Sequence, residues 1–419
     1  MNSGEGTLPG GQSPLWQIGR SALTAMLALL MAAAFSPCAL AGSDVTFPCP
    51  TSIEPNVQFW VDVFANYSER DFIVHDRDQV WHVYQVMHLP GAGAPGRDDV
   101  AAVNSYLKTK YANMLNRLAG GAKPVDVEEQ RVANMFKGQP LSAYTLAADN
   151  LRVQQGMREQ FRDGLLRSRN YRSTMERIFR SFDLPPELVT LAGVESGFYS
   201  RARSSAGAVG IWQFTRGTGR EYMRISRYHD DRLNPIAETR AAAQLLRANY
   251  AELGSWPLAI TAYNYGTAGM AQAAAQYNSD YSKIIRDYNG PHFGFATKNY
   301  YAEFLAALEV HQHEDKYFPA LKYMEAPTPP LVRTALRPRM ARHTRHSRVH
   351  HRRHRIHHHR EVAAAKTQTD NRSDRHARVT TVVHHSDHHR HRVTSARARQ
   401  REHRGATMVA DDQSTGQDS

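Results

Sequence analysis

Apolar residues recur at helical spacing over most of the chain after residue 97. Residues 98–118 carry one such stripe, begun by acidic residues and ended by Gly120-Gly121: Val100, Val103, Leu107, Tyr111, Leu115 and Leu118. Residues 153–182 carry a second: Met157, Phe161, Leu165, Tyr171, Met175, Ile178 and Phe182. From Pro186 to about Phe318, helical patterns alternate with Gly-rich turns and no strand pattern stands out. The chain is therefore predicted to be all-α.

The segment between residues 42 and 152 gives a mixed pattern. Its positions predict mainly helix, but Asp78–Val86 fits a strand as well as a short helix. We interpret residues 42–152 as an N-terminal, mainly helical region ahead of a helical domain at residues 153–326. The Pro-rich stretch that starts at Pro327 separates this domain from a tail at residues 327–419.

A short apolar run, Ser21–Phe35, follows Arg20 near the N-terminus. It is shorter than the roughly 20 residues that a membrane span needs. Pro37 then breaks the run, and Ala39-Leu40-Ala41 supplies the small residues of a signal-peptidase site. We therefore predict that residues 1–41 are a signal peptide and that the protein is exported to the periplasm or cell envelope. An uncleaved membrane anchor is the alternative.

Charge and cysteine content exclude several classes of protein. The formal net charge is +12, but residues 331–404 carry 20 Lys or Arg against 5 Asp or Glu, and residues 405–419 add three Asp. Residues 1–330 are consequently neutral. A basic-groove nucleic-acid enzyme is disfavoured, because its positive charge would lie on the folded domain. The two cysteines are too few for a disulfide scaffold, an iron–sulfur protein or a Cys-rich zinc module.

The tail is rich in arginine and histidine, and 15 of the 22 histidines lie between His343 and His403. It buries too little apolar surface to offset its ordering entropy, so we predict that it is disordered. Three interpretations stay open. The tail is a solvated polycation without a specific ligand, it attaches to an anionic envelope polymer or membrane surface, or its neutral imidazoles capture zinc or copper.

Glu195 interrupts an apolar stripe. Pro186 suits the first residue of a helix, and Glu195 then shares a face with Leu188, Leu191 and Ala192. Burial disfavours the anion, so the pKa of Glu195 is expected to rise. A carboxyl that stays protonated near neutral pH can serve as a general acid. A structural glutamate paired with an arginine such as Arg201, or a solvated one on a rotated helix, is the alternative.

Two further motifs follow Glu195-Ser196. Residues 204–213 read Ser-Ser-Ala-Gly-Ala-Val-Gly-Ile-Trp-Gln, and their small residues let the backbone approach a ligand closely. Trp212 offers a stacking or packing surface and Gln213 offers an amide. Residues 262–266 read Ala-Tyr-Asn-Tyr-Gly, a polar-aromatic run after an apolar one. Singly these motifs fit core packing, but their order and spacing together are specific.

In this order the motifs strongly resemble the soluble-lytic-transglycosylase (SLT) domain, which is related to goose-type lysozyme. The likeness is greatest to the membrane-bound lytic transglycosylases of the D type. Further shared features are Leu184-Pro185, the Asp230 and Arg232 pair, Asn234-Pro235 and the Thr297–Tyr300 entry to the last helix. The similarity covers about residues 153–310 and implies a lysozyme-like helical fold. The D-type proteins usually carry wall-binding modules where this chain has its tail.

The resemblance implies a peptidoglycan lytic transglycosylase, which would cleave the β-1,4 bond between MurNAc and GlcNAc and form 1,6-anhydro-MurNAc. Glu195 would be the single catalytic acid and base, with no metal or cofactor. Ser204 would bind near the acid and the sugar, Gln213 and Asn264 would contact the substrate, and Tyr263 would assist around Glu195. The motifs hold no second acid beside Glu195, although most glycosidases use two carboxylates.

Two other functions stay open. A goose-type hydrolase that uses water would need a second carboxylate, for which Asp230 is the only candidate in the motifs. The composition of the tail favours a non-catalytic protein that binds the cell wall or a metal. The intact motif residues disfavour such a protein. The expected partners are peptidoglycan glycan strands and, through the tail, anionic envelope polymers or a membrane surface; nucleic acid is not expected.

Overall fold

The structure is a computed structural model that describes residues 46–330. These residues form fourteen α-helices, four 3₁₀ helices and three β-strands. The predicted helical fold class is confirmed, and a small sheet is added to it. The predicted signal peptide at residues 1–41 and residues 331–419 of the predicted tail lie outside the described residues.

The first part of the described chain alternates helices with strands. After a 3₁₀ helix at Thr51–Ile53, the elements are α1 (Glu54–Ala65), β1 (Asp71–Asp76), β2 (Val83–His88), α2 (Arg97–Ala119), α3 (Val127–Met135), α4 (Ser142–Asp149) and β3 (Leu151–Gln155). Helix α2 confirms the stripe predicted over residues 98–118. Gly120 follows its last residue, as predicted.

The second part consists of helices joined by loops, and three isolated β-bridges lie in these loops. Its α-helices are α5 (Arg158–Ser168), α6 (Arg172–Arg180), α7 (Leu191–Ser196), α8 (Arg216–Tyr222), α9 (Pro235–Leu253), α10 (Trp256–Tyr265), α11 (Thr267–Gln276), α12 (Tyr281–Asp287), α13 (Phe295–Gln312) and α14 (Glu314–Tyr317). Its 3₁₀ helices are Pro186–Thr190, Asp231–Leu233 and Pro319–Tyr323. Within residues 46–330, no helix combines the length and the apolar character needed to cross a bilayer.

The three strands form an antiparallel sheet in the order β2-β1-β3. Alternate residues of a strand face opposite sides of its sheet. Phe72 and Val74 of β1 therefore pack into one apolar cluster with α2, while Ile73 between them packs into a larger cluster. In the register of the sheet, Arg152 of β3 lies opposite His75 of β1.

The larger apolar cluster joins the two parts of the chain. Trp60 of α1 belongs to it together with residues of α7, α9, α10 and α13. Asn56 and Trp60 of α1 both donate hydrogen bonds to the side-chain oxygen of Asn299 on α13, at 3.0 and 3.2 Å. Helix α1 is thereby fixed against the helix that supplies part of the candidate site. The predicted domain boundaries at residues 42–152 and 153–326 stay a prediction.

The helical pattern predicted over residues 153–182 is not one continuous helix. Its first residues belong to β3, which pairs with β1, and the helical remainder divides into α5 and α6. Gly156 follows the strand, and a Cβ at this position would overlap the backbone oxygens of Tyr67 and Ser68. The apolar residues do recur at helical spacing, but residues 151–155 form a strand because they pair with β1.

Candidate active site

Glu195 lies near the end of α7 and points into the protein. The sequence predicted a helix that begins at Pro186. In the structure a 3₁₀ helix begins there and leads directly into α7. Gly197 and Phe198 both take left-handed φ angles, of 55° and 57°, and turn the chain away immediately after the helix. Glu195 is only 5% exposed. The predicted burial of this carboxyl on an apolar stripe is confirmed.

The hydroxyl of Tyr300 on α13 donates a hydrogen bond to the Oε1 atom of Glu195. Both side chains are buried. Burial raises the pKa of Glu195 to about 7, and the hydrogen bond from Tyr300 partly opposes this rise by favouring the carboxylate. A carboxyl of this kind is protonated just below neutral pH and can both give up and recover a proton there.

Residues 210–213, here called the tryptophan loop, are tied to α7 and α9. Next to Glu195, the Ser196 hydroxyl donates to the Ile211 carbonyl at 2.8 Å. The Ile211 amide in turn donates to the carboxyl of Glu238 on α9 at 2.7 Å. The Trp212 indole N–H donates to the hydroxyl of Thr239 at 3.0 Å. Glu238 is fully buried, and burial raises its pKa well above the usual range.

Gln213 closes the tryptophan loop in a strained conformation. Its φ is 51°, which is uncommon for a residue other than glycine. Its side-chain amide donates to the Gly210 carbonyl at 2.7 Å, and the residue is buried. Gly210 itself has a φ of 92°, and a Cβ there would overlap the Arg232 carbonyl oxygen and the Glu238 carboxyl. Strained backbone of this kind persists where the surrounding structure fixes it, often at functional sites.

Tyr263 and Asn264 extend the same network from α10. The hydroxyl of Tyr263 donates to the Trp212 carbonyl at 2.9 Å. Burial raises the pKa of Tyr263 well above 10, and the nearby charge of Glu195 adds to this effect. The side-chain oxygen of Asn264 accepts a hydrogen bond from Thr297 at 2.8 Å, one turn before Tyr300 on α13. Tyr263 thus binds the tryptophan loop and interacts electrostatically with Glu195, while Asn264 binds the helix that carries Tyr300.

The hydrogen bonds of Ser204 stay within its own loop. Its hydroxyl accepts the Ala208 amide at 3.0 Å, and its own amide donates to the Ala208 carbonyl at 3.0 Å. Within the described part of the chain, its hydrogen bonds therefore close its own loop and do not reach Glu195. A contact between Ser204 and a bound sugar stays a prediction.

Asp230 forms an ion pair with Arg232, as the motif suggested. Its two carboxylate oxygens accept the Arg232 side chain at 2.9 and 2.8 Å. Burial alone would raise the pKa of Asp230, but the guanidinium outweighs it and the pKa is lowered. Arg232 also donates to the Phe214 carbonyl at 3.2 Å, just after the tryptophan loop. Both oxygens of Asp230 thus bind the arginine that holds this loop.

Sequence reasoning missed three residues of the site: Tyr300, Glu238 and Glu303. Tyr300 was noted only as part of the entry to the last helix. Glu238 and Glu303 lie in helices that are otherwise largely apolar, and this unusual position could have identified both as candidate site residues. Glu303 is half-buried one turn after Tyr300, and its carboxyl interacts electrostatically with Glu195.

Among residues 46–330, no group of three His, Cys, Asp or Glu side chains is arranged to hold a metal ion.

Comparison with known proteins identifies the region that contains Glu195, the tryptophan loop, Tyr263 and Asn264. Residues 179–285 match the family model of the transglycosylase SLT domain. The resemblance inferred from the motifs is confirmed. The chain is 33% identical over 157 residues to the membrane-bound lytic murein transglycosylase D of Escherichia coli strain K12, and equally to the protein of that name from E. coli O6:H1.

These matches cover limited parts of each protein. The match to the two E. coli proteins covers 37% of this chain and 34% of theirs, so the chain spans about a third of the length of these relatives. A solved structure of an inactive mutant of the lytic transglycosylase Slt from Pseudomonas aeruginosa matches 38% of this chain and 25% of its own, with 21% identity and a TM-score of 0.29.

Proposed function

We propose that this protein is a peptidoglycan lytic transglycosylase with Glu195 as its single catalytic acid and base. The observation that carries the proposal is the buried carboxyl of Glu195, which lies in the region matched by the SLT model and accepts a hydrogen bond from Tyr300. Its pKa of about 7 lets one group act in both roles. The substrate would be the glycan strands of peptidoglycan, and the place of action the periplasm or cell envelope.

In the first step, protonated Glu195 gives its proton to the oxygen that links MurNAc to GlcNAc. The bond between that oxygen and C1 of MurNAc breaks, and GlcNAc leaves with a free hydroxyl. The carbonyl oxygen of the MurNAc N-acetyl group stabilises the positive charge at C1. Tyr300 supports this step, because its hydrogen bond favours the carboxylate that Glu195 becomes.

In the second step, the Glu195 carboxylate takes the proton of the MurNAc 6-hydroxyl. The oxygen of that hydroxyl bonds to C1 and closes the 1,6-anhydro ring. Glu195 ends protonated, and no water is consumed. Gln213 and Asn264 would hold the sugar, Ser204 would bind near the acid, and Tyr263 would fix the tryptophan loop beside Glu195.

The test is a digestion of purified peptidoglycan in water enriched in oxygen-18, followed by mass spectrometry. A lytic transglycosylase releases anhydro-muropeptides that lack one water and carry no label. Glu195→Gln keeps the shape of the side chain but removes its titratable proton, so release is expected to fall by two orders of magnitude or more. Glu187→Gln, in the 3₁₀ helix just before α7, is the matched control and is expected to stay active.

A hydrolase is the second candidate, and Glu303 is the observation that favours it. Asp230 was its predicted second carboxylate, but both oxygens of Asp230 bind Arg232. Glu303 instead interacts electrostatically with Glu195. Muropeptides that carry oxygen-18 at the reducing end would establish hydrolysis. Binding to peptidoglycan with no product would leave only a wall-binding protein.

A further inference from the structure

Glu238 of α9 holds the tryptophan loop through one of its two carboxyl oxygens. Its Oε2 atom accepts the Ile211 amide at 2.7 Å, and the whole side chain is buried. The Oε1 atom is buried as well, and no hydrogen-bond donor of residues 46–330 reaches it. A buried oxygen without a donor is costly, and more so when it carries charge. The ionised form of Glu238 is therefore poorly stabilised at this place.

The Oε1 atom of Glu238 lies beside the backbone carbonyl of Arg232. A Cβ added to Gly210 would lie 2.0 Å from the Arg232 carbonyl oxygen and 2.2 Å from this Oε1. The two oxygens can therefore be no further apart than these two distances combined. When Glu238 is ionised, both oxygens are acceptors and repel each other. A proton on Oε1 turns the same contact into a donor beside an acceptor.

The positive charge near Glu238 is already bound by another carboxylate. Arg232 acts on Glu238 electrostatically, but its guanidinium donates to both carboxylate oxygens of Asp230, at 2.9 and 2.8 Å. Its other hydrogen bonds go to the carbonyls of Gly207 and Phe214, at 3.3 and 3.2 Å. Within the described part of the chain, Glu238 forms no ion pair. No cation is thus available to hold an anion at Glu238.

The electrostatic surroundings agree with this geometry. Burial is the largest cause that raises the pKa of Glu238 well above its usual range, and the charge of Asp230 adds to it. The amides of Ile211 and Trp212 and the charge of Arg232 oppose the rise without cancelling it. Glu238 consequently keeps its proton at a pH where an exposed glutamate has lost it.

The ionisable groups that face Glu238 from its other neighbours do not favour an anion. Tyr263 of α10 interacts with Glu238, and burial raises the pKa of this tyrosine well above 10, so it is neutral. Asp231 of the neighbouring 3₁₀ helix pairs with His229 and Arg224. Helix α11, which also packs on α9, has no ionisable side chain.

The charged side chains on α6, α8 and α9 lie at or near the surface. Those of α6 are half-buried or exposed: Arg172, Glu176, Arg177 and Arg180. Those of α8 are exposed: Arg216, Arg220 and Glu221. Besides Glu238, those of α9 are exposed too: Arg240, Arg247 and Glu252. Glu238 is thus the buried carboxyl among these three helices.

We propose that Glu238 is a positioning residue that works in its protonated form, in which Oε1–H donates to the Arg232 carbonyl while Oε2 accepts the Ile211 amide. One neutral side chain then ties the tryptophan loop to the 3₁₀ helix that contains Arg232. The Ile211 carbonyl accepts the hydroxyl of Ser196, the residue after Glu195, so this tie fixes the loop beside the candidate acid. The positioning role rests on the proposed function, whereas the protonation of Glu238 does not.

Infrared spectroscopy tests the protonation without any activity. The spectrum of the double variant Glu195→Gln, Glu238→Gln is subtracted from that of Glu195→Gln at pH 7, so that the signals of all other carboxyls cancel. The difference is expected to contain the C=O stretch of a protonated carboxyl and no carboxylate band. A carboxylate band that belongs to Glu238 at pH 7 would overturn the proposal.

Unfolding at several pH values gives a second test. Glutamine imitates the protonated carboxyl, because its amide can donate to the Arg232 carbonyl while its oxygen accepts the Ile211 amide. Above pH 4.5 the unfolded wild type releases the proton that the folded form keeps. Relative to Glu238→Gln, its ratio of folded to unfolded protein is therefore expected to fall by up to about tenfold per pH unit between pH 5 and pH 7. Glu252→Gln, exposed on the same helix, is the control without this trend. A difference between wild type and Glu238→Gln that does not change with pH would contradict the proposal.

Muropeptide release at pH 7 tests the positioning role. Glu238→Gln keeps both hydrogen bonds and is expected to stay within about twofold of wild type, whereas Glu238→Leu can form neither and is expected to fall about tenfold or more. Circular dichroism establishes that both variants are folded. An equal loss in both variants would reject the neutral form, and an active leucine variant would reject the positioning role. Absence of products from wild type would defeat the proposed function, while the infrared and unfolding measurements would still decide the protonation.

Discussion

The hydroxyl of Tyr300 hydrogen-bonds the carboxyl of Glu195 across 105 residues of sequence, and both groups are buried. This contact links α7 to α13 at the centre of the candidate site. A hydrogen bond to an ionised group is typically stronger than one between neutral groups. The bond therefore tightens when Glu195 becomes a carboxylate, which is when the proposed reaction needs it.

Removing this hydrogen bond in Tyr300→Phe is expected to change both the rate and the pH profile. The carboxylate loses a donor, so the pKa of Glu195 rises and the alkaline loss of activity moves to higher pH. The maximal rate is expected to fall about tenfold, which corresponds to ~1.4 kcal/mol of lost stabilisation. Rates of muropeptide release measured between pH 5 and pH 9 check both effects.

Tyr301→Phe is the matched control for this variant. The Tyr301 hydroxyl donates to the Pro48 carbonyl at 2.8 Å, away from Glu195. Its loss is expected to lower the free energy of unfolding by about 1 kcal/mol and to leave the pH profile unchanged. Identical pH profiles for the two phenylalanine variants would contradict the role given to Tyr300.

The tryptophan loop is expected to tolerate no side chain at Gly210. Gly210→Ala would place a Cβ on the Arg232 carbonyl oxygen and the Glu238 carboxyl at a φ of 92°. We expect it to lower the free energy of unfolding by about 3 kcal/mol or more and to abolish activity. Gly207→Ala is the control, because its φ of 84° imposes a similar backbone strain but nothing lies within 4 Å of the new Cβ. Its cost is expected to stay near 1 kcal/mol. Urea unfolding of both variants tests the difference.

The buried acid form of Glu195 makes stability depend on pH. Its pKa rises on folding from 4.5 to about 7, so the stability that it contributes is complete below pH 4.5 and is lost as the pH rises through 7. Glutamine does not titrate. Relative to wild type, Glu195→Gln is therefore expected to gain up to about 3 kcal/mol between pH 4 and pH 8. Denaturant unfolding at several pH values measures this gain, and a constant difference would contradict the raised pKa.

The sequence predicted the local features of the site better than its long-range contacts. The burial of Glu195 followed from its place on an apolar stripe, and the start of α9 followed from Asn234-Pro235, where the Asn234 side chain does accept the Ile236 and Ala237 amides. Both are properties of a few neighbouring residues. The bond between Tyr300 and Glu195 depends on how two distant helices pack, and no spacing in the sequence encodes it.

The sheet was the main element that the sequence left undecided. Its central strand is buried on both faces, so β1 lacks the clean alternation of a half-exposed strand. Strand β3 follows α4 directly, and its last residues form the start of the helical pattern over residues 153–182. The pairing of Arg152 with His75 was consequently invisible.

The last prediction concerns the tail and rests on the sequence alone. Residues 331–404 hold a net charge of +15 and most of the histidines, while residues 1–330 are neutral. If the tail attaches the protein to an anionic surface, attachment should weaken with salt, because the Debye length falls from roughly 10 Å at 0.1 M to 3 Å at 1 M. It should strengthen below about pH 6.5, where histidine gains charge.

A protein truncated after Pro330 is expected to cleave soluble glycan fragments normally but to pellet less with intact sacculi or anionic vesicles. A full-length variant with the tail arginines changed to glutamine separates charge from length. Equal pelleting of all three proteins at two salt concentrations and two pH values would reject attachment, and calorimetric titration with zinc would then distinguish metal capture from a tail without a ligand.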